Sequence, residues 1–208
     1  MKPAIIFLFL LFNLPAFSQT FSPVKDEAKL RKEIVEASQK IQTIRCDFKQ
    51  EKTLSMLSEK AVSKGKFYFK RDNQVRLEYL PPNKNLMVMS KGKMMMQDDK
   101  KTSQVDVHRS RIFRQLHDII VGSINGNLFS GKEFSSRFFE NGTSIKIELT
   151  PNAKTLKNYL SNIVLVLEKK DFTALRIEMN EPSGDSTILS FSSKELNAAL
   201  ADSLFAVR

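Results

Sequence analysis

A chain of 208 residues, 41% hydrophobic and with a formal net charge of +10, is long enough to bury one substantial core. Its single cysteine excludes an internal disulfide framework, so packing must hold the fold. Its lysines and arginines are scattered, with no block of five like charges and no recognised nucleic-acid motif, which argues against a nucleic-acid partner.

The chain opens with Lys2, an apolar run from Ala4 to Leu14 and the small-x-small triplet Ala16-Phe17-Ser18. This is the pattern of a cleaved signal peptide over residues 1–18, with an apolar run too short to span a bilayer. No cysteine stands at the cleavage point, so no lipoprotein signal is read. The mature chain is expected to be exported and soluble, with residues 19–208 forming a single domain. Removing Lys2 lowers the positive charge by one.

A helix comes first. In KDEAKLRKEIVEASQKIQ the residues Leu30, Ile34, Ala37 and Ile41 form one stripe, and Asp26 and Glu27 sit where the helix dipole favours acids. From Ile44 the period changes to two. Ile44, Cys46 and Phe48 alternate with Arg45, Asp47 and Lys49; Gly65, Phe67 and Phe69 share a face; Val75, Leu77 and Tyr79 oppose Arg76 and Glu78. Asp72-Asn73 reads as a turn, Pro81-Pro82 as a break, and Lys91-Gly92 as the tip of a hairpin. A short strand, TSQVDV, follows. Residues 109–125 then interrupt the strands with an amphipathic helix carrying Ile112, Phe113, Leu116, Ile119 and Ile120. Strands resume around Asn141-Gly142, a hairpin signal, and continue through SNIVLVLEKK, TALRIEMN and STILSF. The expectation is a mainly β fold with helices: an incomplete, strongly curved antiparallel barrel of about ten or eleven strands closed by a helical lid.

No constellation for catalysis emerges. His108 and His117 are the only histidines, no cysteine pair could hold a metal, Asp98-Asp99 reads as a solvated turn, and seven glycines form no phosphate-cradling loop. Neither enzymatic activity nor a cofactor or metal is expected. What stands out is apolar surface on both faces of several strands, which needs cover on each side or a ligand on one. Five of the eight methionines crowd into LMVMSKGKMMMQ, residues 86–97. Alternation puts Met87, Met89, Met94 and Met96 on one face, with Met95, Leu86 and Val88 on the other. Methionine adapts its shape, so the cluster fits a wall for variable apolar cargo, or a core hairpin that happens to use Met.

Phe48-Lys49-Gln50, then Gly65 opening Lys66-Phe67-Tyr68-Phe69-Lys70-Arg71, then Arg76-Leu77-Glu78-Tyr79-x-x-Pro82, then Gly92-Lys93 resemble the periplasmic outer-membrane lipoprotein carrier family of LolA type. The resemblance implies a periplasmic carrier that shields lipoprotein acyl chains, takes them from an inner-membrane ABC transporter and passes them to an outer-membrane acceptor. It further implies that Arg71 latches the helical lid. Where the family usually has Pro after this Arg, Asp72 stands; its Trp is Leu77; aromatics after the Gly-Lys turn are Met94, Met95 and Met96. The expected cavity wall is Phe48, Phe67, Phe69, Val75, Leu77, Tyr79, Met87, Met89, Met94 and Met96, and the expected lid is Ile112, Phe113, Leu116, Ile119 and Ile120. The chain is expected to act as a monomer. The alternative is a LolA-like module for another lipid or glycolipid, or a periplasmic envelope sensor.

Overall fold

The structure is a computed structural model, and it describes residues 20–57, 60–82, 84–106, 119, 121–122, 124–125 and 133–207. Helix α1 (Glu27–Gln39) starts where Asp26 accepts a hydrogen bond from the Lys29 amide, and it buries Leu30, Ile34 and Ser38. Two antiparallel meanders make up the rest. The first runs β2 (Thr43–Thr53), β3 (Lys60–Lys70), β4 (Gln74–Tyr79), β5 (Asn85–Ser90), β6 (Lys93–Asp98) and β7 (Thr102–Asp106). The second runs β8 (Phe134–Glu140), β9 (Ser144–Pro151), β10 (Asn162–Glu168), β11 (Ala174–Asn180) and β12 (Ser186–Leu196). A four-residue helix, α2 (Lys154–Lys157), links β9 to β10. The turn residues fit their turns: Asp72 and Asn73 both take positive φ (71° and 60°), and Lys91-Gly92 does the same (51° and 74°).

Both meanders belong to one sheet, because β12 pairs with β2 and sets Phe191 opposite Phe48. The strand order is β1-β8-β9-β10-β11-β12-β2-β3-β4-β5-β6-β7, where β1 is the two-residue strand Ser22–Pro23. This corrects the barrel expected from sequence. Twelve strands form an open antiparallel sheet, not a closed or curled one of ten or eleven. Closure would need the two edges to hydrogen-bond to each other, but β1 pairs only with β8 and β7 only with β6. The edges are blunted instead, β1 by its brevity and Pro23, β7 by its mostly solvated residues.

The core lies mainly on one face. One cluster joins Leu30 and Ile34 of α1 to Phe138, Ile147, Leu149, Ile163 and Leu165. A second joins Ile44, Phe48, Phe67, Phe69, Val75, Leu77, Met89 and Met94. Leu189 and Phe191 of β12 pack against both. The connection from β7 to β8 has to pass from one end of the sheet to the other. Its described residues Ile119, Val121, Gly122, Ile124 and Asn125 are helical, with Ile119 in the first cluster and Val121 in the second. That segment therefore spans the seam between the two halves of the core. The rest of the expected lid, Ile112, Phe113, Leu116 and Ile120, lies outside the described residues, as do both histidines.

The opposite face carries a smaller cluster, in which Val88 and Met95 meet Phe205 of a C-terminal 3₁₀ turn (Asp202–Phe205). The Arg76 guanidinium donates to the Leu204 carbonyl (3.2 Å), and Lys70 pairs with the Asp202 carboxylate. Apolar residues on both faces of β5 and β6 are thus explained: the sheet is sandwiched there. Among the described residues no helix is long and apolar enough to cross a membrane.

Candidate functional site

At the seam between the two core clusters lies an apolar cavity of about 60 Å³. Its floor comes from the middle of the sheet: Ile44 and Cys46 of β2, Phe67 of β3, Leu77 of β4, Ile177 of β11, and Leu189 and Phe191 of β12. Ile41, just beyond α1, and Ile124 of the crossing segment border it from above, and Phe172 borders it from the β10–β11 turn. Phe172 reaches that position with a positive φ of 55°. Phe67 and Phe191 meet edge-to-face, with centroids 5.7 Å apart. Room for about two water-sized volumes is far too little for an acyl chain, so a bound chain would require the cover over this floor to move.

One charged group belongs to the wall. Strict alternation after Leu189 and Phe191 would turn Ser193 inward and Lys194 outward. Instead the β12–β2 register slips between Ser192 and Glu195, so that Ser193 and Lys194 together oppose Cys46. Ser193 takes a φ of 52°, and this bulge brings Lys194 to the cavity. The Lys194 ammonium donates to Glu168 Oε2 (2.7 Å) and Thr173 Oγ1 (2.6 Å), and its side chain is 12% exposed. Thr173 is itself fixed, donating through its amide (2.8 Å) and hydroxyl (2.5 Å) to Asp171 Oδ1. Burial pushes the Cys46 thiol up to about 12, against a smaller opposing pull from Lys194, so it sits on the floor as a neutral apolar group. Among the described residues no three His, Cys, Asp or Glu side chains gather to hold a metal ion.

Hydrogen bonds tie the cover down on one side. Arg71, at the end of β3, donates to the carbonyls of Ser38 (2.8 Å), Gln39 (3.0 Å) and Ile41 (Nε, 3.0 Å). Ser38 and Gln39 belong to the last turn of α1, where carbonyls lack their usual i+4 donors and a cation is favoured by the dipole, and Ile41 lies just beyond it. The single proton of the Ser38 hydroxyl is shared between the Val35 carbonyl one turn back (2.7 Å) and the Asn125 carbonyl (3.1 Å), and the Asn125 side-chain amide reaches Asn73 Oδ1 (3.4 Å). Among the described residues Arg71 therefore holds the end of α1, and Ser38 and Asn73 hold the crossing segment.

The expected wall residues divide three ways. Phe67 and Leu77 border the cavity. Phe48, Phe69, Val75, Met89 and Met94 are buried in the second core cluster. Tyr79, Met87 and Met96 face a separate, more polar groove of about 540 Å³ beside Gln50, Asp98 and Lys101. There the Tyr79 hydroxyl donates to Gln50 Oε1 (2.8 Å), and its ring meets Phe48 edge-on, with centroids 5.0 Å apart. Ile119 of the expected lid is buried in the first cluster. Lys194, Phe172, Ile177, Leu189 and Phe191 were absent from the expected wall. STILSF reads as a strand without singling out Leu189 and Phe191, and no local signal announces a bulge that turns a lysine inward.

The family model for the outer membrane lipoprotein carrier protein LolA matches residues 39–208. No curated protein matches the chain significantly. Among solved structures it is similar to an uncharacterized conserved protein from Thermus thermophilus (10% identity, 88% of this chain and 95% of that one, TM-score 0.52). It is also similar to a chain of the Pseudomonas aeruginosa MucA/MucB complex (15% identity, 88% of this chain, TM-score 0.51), of which it spans 62%. A LolA superfamily protein from Nitrosomonas europaea is 10% identical over 85% of this chain and 97% of its own, with a TM-score of 0.43.

Proposed function

The chain belongs to the outer membrane lipoprotein carrier protein LolA family, and from that premise we propose that it receives lipoprotein acyl chains at the inner membrane and delivers them to the outer membrane. Family membership makes it a periplasmic carrier of lipid or protein cargo rather than an enzyme. The finer reading names the cargo as acyl chains, the donor as an inner-membrane ABC transporter and the recipient as an outer-membrane acceptor, with residues 19–208 acting as one domain.

The observation that supports it is the apolar cavity at the seam, floored by the sheet and bordered above by Ile41 and Ile124. Loading lifts the cover and exchanges protein–protein apolar contact for protein–acyl contact. Each methylene taken from water is worth about 0.8 kcal/mol, so a chain buried along its whole length would not leave. A cavity that grows only as its cover lifts keeps part of the chain accessible to a greasier acceptor.

Native mass spectrometry of the protein extracted gently from its own periplasm tests this. The expected result is a complex heavier by an acylated lipoprotein. A complex carrying only a free lipid or glycolipid would replace the cargo named here, and a protein that stays unloaded when an acylated lipoprotein is supplied would overturn the acyl reading.

A further inference from the structure

We propose that Lys194 makes the cavity selective for free acyl anions, the chain lying on the apolar floor and a carboxylate or phosphate head taken by the ammonium; this rests on reading the cavity as an acyl site and goes beyond the cargo named above, because the ester- and amide-linked chains of a lipoprotein end in no such anion. Every strand around Lys194 presents apolar side chains to the cavity, among them Phe67, Leu77, Ile177 and Phe191. A lysine on the other side of β12 would have kept its hydration. The backbone instead adopts a bulge, with Ser193 at a φ that L-residues seldom occupy, and this brings Lys194, its side chain 12% exposed, beside the apolar floor.

The partners of Lys194 leave room for such a head. An ammonium has three donors, and among the described residues two acceptors are in place, Glu168 and Thr173. Asp171, the other acid at this turn, accepts from the Thr173 amide and hydroxyl. An incoming carboxylate or phosphate therefore competes with Glu168 alone. The Glu168 side chain is 36% exposed and can return to water without a burial penalty. The neutral Cys46 thiol adds no repelling charge below the head. If Lys194 served only to tie the β10–β11 turn to β12, it would satisfy the same two bonds but have no effect on which ligand binds.

Calorimetric titration separates these roles, using dodecanoate, dodecyl phosphate and dodecanol against the wild-type full-length mature chain, Lys194→Met and Glu168→Gln. Wild-type protein should bind the two anions more tightly than the alcohol, and the tighter of the two identifies the head as carboxylate or phosphate. Lys194→Met keeps the length of the side chain without its charge. It should weaken anion binding by about tenfold, the loss of one charge-assisted hydrogen bond, and leave dodecanol unchanged. Glu168→Gln removes the competitor and should tighten the anions a few-fold. It also stands as the independent check if Lys194→Met proves unstable to urea. An anion-to-alcohol ratio that neither variant moves would overturn the head-group proposal while leaving the acyl reading intact. Failure of all three ligands to bind wild-type protein would overturn the acyl reading and this proposal with it.

Discussion

Gly65 shows how tightly single positions are specified. A Cβ there would stand 2.5 Å from the Phe48 ring and closer still to the Glu78 carbonyl, so β2 and β4 meet across a gap that only glycine leaves open. Gly65→Ala should destabilise the protein by about 3 kcal/mol, read as a lower urea midpoint with an unchanged slope. Arg71 acts through geometry as much as charge. It serves three carbonyls at the end of α1 from one planar fork. Arg71→Leu should cost about 2 kcal/mol and speed amide exchange in the last turn of α1, and Arg71→Lys should restore less than half of that stability. Cys46 makes the protein sensitive to base. Its thiol is held up at about 12 in the folded state, so the unfolded chain, with its ordinary thiol near 9.0, ionises first. The stability it contributes is fully present below pH 9 and drains away as pH rises towards 12. Chemical denaturation across that range should show the decline, and Cys46→Ala should remove this part of it.

At the scale of the element, the β5–β6 hairpin answers why methionine is concentrated here. Its pairing sets Met89 opposite Met94, Met87 opposite Met96 and Val88 opposite Met95. The first pair is 1% exposed and lies in the main core, Met95 packs under Phe205 on the other face, and Met96 is 38% exposed at the groove. Met89→Gln or Met94→Gln buries an amide among apolar neighbours and should cost about 3 kcal/mol each, whereas Met96→Gln should cost under about 0.5 kcal/mol. Thermal melting of the three variants measures the difference. The two-faced division of this hairpin, like that of Phe67, Phe69, Val75 and Leu77, was legible in the sequence because a strand's period of two is a local property. The β12 bulge was not. It is a slip of register against β2, a strand more than a hundred residues away in sequence, and nothing adjacent to Ser193 encodes it.

For the whole molecule, hairpin signals fix which strands are neighbours, but they say nothing of whether the first and last edges meet. That is why an incomplete, strongly curved barrel was a natural expectation and an open sheet is what forms. Openness was decided by two edge strands, β1 and β7, one of which is too short to leave a periodic signal. The site depends on the same long-range step. Residues from β2, β3, β4, β11 and β12 reach one cavity only because β12 joins the two meanders. A ligand seated there bridges both halves of the core. Saturating acyl ligand, at a hundredfold over its dissociation constant, should therefore raise global stability by about 2.7 kcal/mol. Hydrogen exchange should slow on β2 and β12 together, while the end of α1 and the described residues Ile124 and Asn125 exchange faster than in the protein without ligand. Exchange that slows in only one meander would place the ligand elsewhere.

The graded burial of the methionine hairpin also gives the protein a built-in chemical clock. Peroxide converts a thioether to a sulfoxide at a rate governed by access, and the product is too polar for a packed core. Met96 should oxidise early and without structural consequence, whereas Met89 and Met94 should resist until the cover of the second cluster lifts. Their oxidation rates, followed by peptide mass, would then time the opening of that part of the core, and a sulfoxide at Met94 would oppose its repacking.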